Sequence, residues 1–558
     1  MRRLALCAAL TLSTALCLGA AQPLLAKDKP AAPAAAPKTP PKLILAISVD
    51  QFSADLFAEY RDRYVAGMAR LAEGVVFPSG FQSHAATETC PGHSTLLTGA
   101  RPSRTGIIAN TWIDQSVARA DKRVYCAEDE SDPASTIKDP VVSSGHLKVP
   151  TLGELMKAAS PATRNVAVSA KDRAVMMMGG HNIDAAYWYK NGAFVTLKGR
   201  ELSPAAKLQN ADLAKLLKKG AKAMAVPAWC GRADRAVAAG KGSVGTGRFV
   251  LEPGKPDSLR ISPRMDMATV DLANRLIDEM KLGQGSAPDV LSVSLSATDY
   301  VGHATGTEGL EMCIQQAELD KAVGKLLAHL DARKIDYQVV LSADHGGLDL
   351  PERLDQQALP RAERVDTALL PQVLGKVISQ RTGINAQGPL LYSESGDFYV
   401  NKGLNPAQKA EVIKALIAIS KDHPQVAAVY TAEEIANTPL PTGSPQDWTL
   451  KERARASFDP GRSGDVIMLL GRDVTPIPEA MPGMYVATHG SAFDYDRRVP
   501  IIFWRRGLIG FEQPHPVETV DIAPTLAALV GLKVADGAFD GRCLDLDAGA
   551  GNTCETNK

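Results

Sequence analysis

The strongest constraint on this chain is a set of short, uninterrupted apolar runs that each stop at a charged residue. Leu43-Ile44-Leu45-Ala46-Ile47-Ser48-Val49 ends at Asp50. Val166-Ala167-Val168-Ser169 is followed by Lys171, and Val290-Leu291-Ser292-Val293-Ser294-Leu295 leads to Asp299. Gln338-Val339-Val340-Leu341-Ser342 leads to Asp344, and Val466–Leu470 and Ile501–Phe503 read as two more strands. Runs that are apolar throughout, with no alternation, suit strands covered on both faces. Met267–Met280 and Met312–Leu330 carry helical spacing of apolar residues between them. The pattern predicts an α/β fold, a mostly parallel central sheet sandwiched by helices. In such sheets, sites form beyond the carboxyl ends of the strands. Asp50, Lys171, Asp299 and Asp344 come from distant parts of the chain to that one edge.

The N-terminus predicts export. Arg2 and Arg3 precede an apolar stretch from Leu4 to Leu18, with small residues at Gly19, Ala20 and Ala21. This is the anatomy of a signal peptide over residues 1–26, cleaved after 20 or 26. The run is short of the ~20 apolar residues that a membrane span needs. The expected location is periplasmic or extracellular. An Ala/Pro-rich stretch, residues 27–42, reads as a linker. Residues 43–558 then form a single catalytic domain, with capping insertions expected near 179–263 and 350–463, which are richer in Gly, Pro and charge.

Charge excludes one function class. Lys plus Arg and Asp plus Glu are both 62, so no basic nucleic-acid surface is expected. Six cysteines follow the signal: Cys90, Cys126, Cys230, Cys313, Cys543 and Cys554. They allow three disulfides in an exported chain, with only Cys543–Cys554 suggested by a short loop. There is no CxxC pair, so a thiolate metal site is not expected.

Residues of metal-ligand type gather at the strand ends. Asp299 and His303 are four apart, Asp344 and His345 are adjacent before two glycines, and His489 lies in a glycine-flanked loop. With Asp50 these are three Asp and three His, oxygen and nitrogen donors that suit zinc. Six ligands can hold two metals with open positions. Singly, each residue reads more readily as a cap, turn or loop hydrogen-bonding residue than as a ligand; the combination carries the inference. Thr89, in Glu88-Thr89-Cys90-Pro91-Gly92-His93, falls at or near a helix N-cap, because Pro91 fits a first turn. A helix N-terminus holds anions such as phosphate, and a neighbouring metal would lower the pKa of the threonine hydroxyl. His93 reads as a residue lining this helix, not as a ligand.

In this ordered set (Asp, Thr, Asn, Lys-x-Arg, Asp-x-x-x-His, Asp-His, His) the chain resembles the alkaline phosphatase superfamily. The likeness is to its monomeric, phosphate-irrepressible type with a threonine nucleophile, related to the type I phosphodiesterases and nucleotide pyrophosphatases. The resemblance implies one zinc at Asp299, His303 and His489, and another at Asp50, Asp344 and His345. It implies Thr89 as nucleophile, Asn110 as a donor to a phosphoryl oxygen, and Lys171 and Arg173 as contacts to the transferred group. It implies hydrolysis of small phosphate monoesters through a phosphothreonine, by a monomer. No magnesium site is expected, since Lys171 stands where dimeric relatives hold that ion. Two alternatives remain at this point: a nucleotide pyrophosphatase or phosphodiesterase on the same scaffold, and a non-catalytic zinc-binding protein. A sulfatase is disfavoured, because no C/S-x-P-x-R motif is present.

Overall fold

The structure is a computed structural model and describes residues 39–557 apart from 358 and 360. The expected signal peptide and the expected linker up to residue 38 lie outside the described residues. The elements that position the site are strands β1 (Leu43–Val49) and β2 (Val75–Phe81), helix α1 (Thr89–Thr98), β3 (Asn165–Ser169) and α2 (Asp172–Gly179). They continue with β4 (Ala185–Lys190), β5 (Ala193–Val195), α3 (Arg264–Met280), β6 (Asp289–Leu295), α4 (Ala297–Thr305), α5 (Leu310–Ala332) and β7 (Tyr337–Ser342).

A ten-stranded sheet forms the centre. Its middle is parallel, in the order β7-β1-β6-β3-β4. The reason the β1 run is apolar throughout is visible in its packing. Leu43, Leu45, Ile47 and Val49 face a core shared with α3 and α5 through Leu272, Leu276, Val323 and Leu326. Ile44 and Ala46 face the opposite layer, with Leu96 and Leu97 of α1. Each of the larger side chains contributes roughly 1.5–3 kcal/mol on burial, so both faces exclude charge and admit only the small hydroxyl of Ser48.

Register then explains the shared edge. Val49 pairs with Leu295, Ser48 with Ser342, and Ser294 with Ser169. The strands end level, and the residues that follow them emerge side by side.

Three features differ from the sequence expectation. The strand at Val466–Leu470 does not join the central sheet. It belongs to a four-stranded cap sheet of Leu391–Glu394 (β8), Asp397–Val400 (β9), Val426–Thr431 (β10) and Val466–Leu470 (β11), ordered β8-β9-β11-β10. The cap sheet is covered on both sides, Val466 and Met468 facing its own core and Ile467 facing the catalytic body. It therefore shows the same uninterrupted apolar pattern. The run at 501–503 lies in Arg498–Arg505 (β12), which is antiparallel to both β7 and β2. Finally, the segment 179–263 is not wholly an insertion, because β4 and β5 extend the central sheet. Its Gly- and Pro-rich flanks hide the strand-forming Tyr187-Trp188-Tyr189.

Three disulfides join Cys90 to Cys126, Cys230 to Cys313, and Cys543 to Cys554. Bonds of this kind persist in oxidising compartments. No helix among the described residues is long and apolar enough to cross a membrane.

Candidate active site

Every residue named from the sequence as a site candidate meets at the carboxyl edge of the parallel strands. Asp50 follows β1, Lys171 caps α2 after β3, Asp299 sits in the first turn of α4 after β6, and Asp344 and His345 follow β7. Asp50, Asp344 and His345 are fully buried, and Asp299 and Lys171 nearly so.

Thr89 is the first residue of α1, one position past the N-cap, which is Glu88. The helix approaches closely: a Cβ on Gly92 would lie 2.0 Å from the Asp344 carbonyl oxygen, so only glycine fits there. Two cations converge on the Thr89 hydroxyl. Lys171 Nζ and Arg173 Nη2 each donate to Thr89 Oγ1 at 3.4 Å. Asn110 is held from three sides. Its Oδ1 accepts the Cys90 N–H at 2.8 Å, its carbonyl accepts the Cys126 N–H at 2.9 Å, and its own N–H donates to Glu88 Oε2 at 2.7 Å. With the amide oxygen engaged, the Asn110 side chain is oriented by the same helix that carries Thr89.

The electrostatics are those of an anionic cluster threaded by a cation. Lys171 Nζ lies 2.7 Å from Asp50 Oδ2 and 2.5 Å from Asp299 Oδ2. Burial and the neighbouring Asp344 push the Asp50 carboxyl well above the usual carboxylate range. Burial pushes Asp299 the same way, but Lys171 and His303 outweigh it and hold that carboxyl well below. Burial lowers His345 to about 3 against the pull of Asp344.

The three histidines share one arrangement. His303 Nδ1 meets the Ala487 carbonyl at 3.0 Å, His489 Nδ1 the Thr87 carbonyl at 2.8 Å, and His345 Nδ1 the Gly346 carbonyl at 2.8 Å. A carbonyl only accepts, so each Nδ1 carries the proton and each Nε2 presents a lone pair. Those Nε2 atoms point at carboxylates. His303 and His489 lie 3.2 and 3.5 Å from Asp299 Oδ1, and His345 lies 3.3 Å from Asp344 Oδ2 and 3.6 Å from Asp50 Oδ1. Asp50 Oδ1, Asp299 Oδ1, Asp344 Oδ2 and His345 Nε2 are buried without a hydrogen bond of good geometry. Buried lone pairs facing one another are costly unless a cation lies between them. The donor set therefore fits divalent metal ions.

Two triads lie close enough to share an ion: Asp299, His345 and His489, and Asp50, His93 and Asp344. The resemblance divides the cluster differently, with His303 beside Asp299 and His345 beside Asp50. The His345 and His489 rings stack at 3.6 Å, so His345 stands at the boundary of both divisions. His93 is another matter. Its Nδ1 lies 2.9 Å from the Thr89 carbonyl and 3.0 Å from Asp344 Oδ2, and its Nε2 lies 3.0 Å from Ser294 Oγ. The carbonyl requires a proton on Nδ1, which leaves the Nε2 lone pair to the serine hydroxyl. His93 therefore stands against Asp344 Oδ2 and offers no lone pair to an ion.

Tyr125 is a residue that sequence reading missed. Its hydroxyl donates to Asp172 Oδ1 at 2.6 Å and accepts from Arg173 Nη1 at 3.4 Å. The available signal was its neighbour Cys126, whose disulfide to Cys90 ties it beside Thr89.

Residues 44–492 match the sequence profile of the type I phosphodiesterase / nucleotide pyrophosphatase family. The chain belongs to that family. Among its relatives, alkaline phosphatase PhoK of Sphingomonas is 52% identical over 520 residues, spanning 92% of this chain and 93% of the relative. Alkaline phosphatase PhoD of Zymomonas mobilis is 51% identical over 521 residues, spanning 92% and 89%. The crystal structure of alkaline phosphatase PafA superposes with a TM-score of 0.79 at 24% identity, covering 91% of this chain and 99% of that one. The central sheet and its helices are thus the family's fold, carried here by a chain with close alkaline phosphatase relatives.

Proposed function

We propose that this chain is an exported alkaline phosphatase that hydrolyses small phosphate monoesters through a phosphothreonine at Thr89. The observation that carries the monoester reading is the convergence of Lys171 and Arg173 on one hydroxyl. A monoester dianion has three non-bridging oxygens, whereas a diester has an alkyl group in place of one and a single charge. Two cations aimed at the nucleophile, one buried and one half-buried, favour the dianion, and the Arg fork can bind two oxygens at once. The high identity to two alkaline phosphatases supports the same choice over a phosphodiesterase.

In this reading two zinc ions are held by Asp299, His303 and His489 and by Asp50, Asp344 and His345, with no magnesium site. Bound there, they would supply Lewis-acid charge to the reacting oxygens. The chain's own residues do the rest. Thr89 Oγ attacks phosphorus as the ester P–O bond breaks and the alcohol leaves. Water then attacks phosphorus, the Oγ–P bond breaks, and inorganic phosphate departs. Asn110 donates its amide N–H to a phosphoryl oxygen, while Lys171 and Arg173 neutralise the other two. His93 packs its Nδ1 edge beside the Asp344 carboxylate, and the N-terminus of α1 adds its partial positive charge. One chain carries all these residues, so a monomer can complete the site. The three disulfides support export.

The test is kcat/KM for a matched aryl phosphate monoester and diester, on wild-type and Lys171→Ala protein. The monoester should win by orders of magnitude, and the advantage should shrink in the variant. An equal or better diester would move the function to phosphodiesterase.

A further inference from the structure

A cavity of about 190 Å³ opens beside His489 and Glu88, between the catalytic body and the cap sheet. None of Lys171, Arg173 and Asn110 lines it. Much of its wall is apolar: Ile467 and Leu469 from β11, Phe458 just past the helix Leu450–Ser457 (α6), and Ala85 on the loop leading to Thr89. Two carboxylates, Glu88 and Asp397, and four serine residues, Ser395, Ser457, Ser463 and Ser491, also line it. Glu88 is pinned by the Asn110 N–H, and Asp397 by the Gly464 N–H at 2.5 Å.

We propose that this cavity receives the leaving group of the ester and selects uncharged, flat apolar alcohols, such as a single aromatic ring, over anionic ones. The proposal rests on the phosphomonoesterase reading and adds its substrate class. Three observations carry it. The cavity begins at His489, in the proposed metal cluster, and at Glu88, directly before the nucleophile. What enters it is therefore the part of the substrate beyond the phosphoryl group, whose oxygens meet residues elsewhere. Its size suits one ring, since apolar cavities of about 150 Å³ hold benzene. Its wall mixes apolar surface with fixed negative charge. The first attracts an aryl face, and the second repels a carboxylate or a second phosphate on the leaving group. Burial, with a smaller push from Glu88, raises the Asp397 carboxyl to about 7, so the repulsion is fully developed at alkaline pH. The cap sheet thereby takes part in substrate choice, because Ile467, Met468, Leu469 and Leu470 of β11 all line the cavity.

The test compares aryl phosphates of equal leaving-group pKa, one with a neutral and one with a carboxylate substituent, on zinc-loaded enzyme. Inorganic phosphate inhibition serves as the readout of the phosphoryl site. Wild type should prefer the neutral ester about tenfold in kcat/KM at pH 9. Leu469→Trp, which fills the cavity, should raise KM for the neutral aryl ester about tenfold and leave the Ki for phosphate unchanged. Asp397→Asn, which keeps an acceptor for Gly464, should halve or abolish the charge preference without slowing the neutral ester. Should Leu469→Trp fail to fold, the Asp397→Asn comparison decides alone. Equal rates for the two esters in wild type, or a preference untouched by Asp397→Asn, overturn the assignment. Phosphate inhibition with no leaving-group discrimination sinks the cavity proposal only. Loss of both monoester turnover and phosphate inhibition in wild type sinks the phosphomonoesterase reading beneath it.

Discussion

Tyr125→Phe offers a sharp test of how this site reads charge. The hydroxyl stands between Asp172 Oδ1, at 2.6 Å, and Arg173 Nη1, at 3.4 Å. It touches no residue of the metal-ligand cluster. Its removal costs the Arg173 guanidinium one anchoring acceptor, and the long contact places that loss near the middle of the usual range, about 1 kcal/mol. Routed through Arg173, this is roughly a fivefold fall in kcat/KM for a monoester. Arg173→Ala removes the fork itself, roughly two charge-assisted contacts worth about 3 kcal/mol together, a hundredfold or more. The decisive measurement is the double variant. If Tyr125 acts only by placing Arg173, Tyr125→Phe should have no further effect once Arg173 is alanine, a coupling of about 1 kcal/mol in a double-mutant cycle. The diester, which lacks the third oxygen, should be nearly blind to Tyr125→Phe. Additive losses, or an equal loss on the diester, would refute the argument that Tyr125 positions Arg173.

Two further predictions concern the nucleophile and a buried carboxylate. Thr89→Ala should abolish turnover while metal analysis still finds bound zinc, because Thr89 belongs to neither proposed ligand set; near-normal activity would remove it as nucleophile. Asp266, under the start of α4, accepts the Ala297 N–H at 2.9 Å and a Gln315 N–H at 2.8 Å, yet burial pushes its carboxyl up to about 7. A folded-state value above the unfolded one means that stability falls as pH rises from about 4 through about 7. Asp266→Asn should therefore gain in Tm relative to wild type between pH 5 and pH 8, and a gap that does not change with pH would contradict the assignment.

The legible part of this site is the part that lies at the ends of strands. Asp50, Lys171, Asp299 and Asp344 stand out in the sequence because these buried parallel strands carry only apolar and small hydroxyl residues into their carboxyl ends, so the first charged residue after each marks the edge. The metal-ligand types could be named for the same reason. What could not be read is what depends on long-range closure. Tyr125 reaches Arg173 only because the short hairpin of Thr111–Ile113 and Arg123–Tyr125 folds over α2, pinned by the Cys90–Cys126 bond. His93 reads as an ordinary helical residue until β6 brings Ser294 to its Nε2 and so fixes which nitrogen is occupied. The strand Val466–Leu470 shows the complementary limit. Its apolar pattern reports burial on two faces, and a cap sheet wedged between two cores satisfies that as well as a central one.

The level strand ends have a consequence for how such a protein becomes active. The charged edge does not exist in any fragment: β1, β3, β6 and β7 each bring part of it, and His489 arrives from the loop before β12, near the end of the chain. A half-folded chain therefore offers scattered donors and no cluster, and tight metal capture begins only when the sheet has closed. Parallel pairing of distant segments is slow to form, which lengthens the interval in which the chain is still threadable. A ligand that binds the folded state alone then stabilises it by mass action. Ion capture on this scaffold would then work as a latch that falls after assembly, and a chain crossing a membrane unfolded would arrive with its site not yet made.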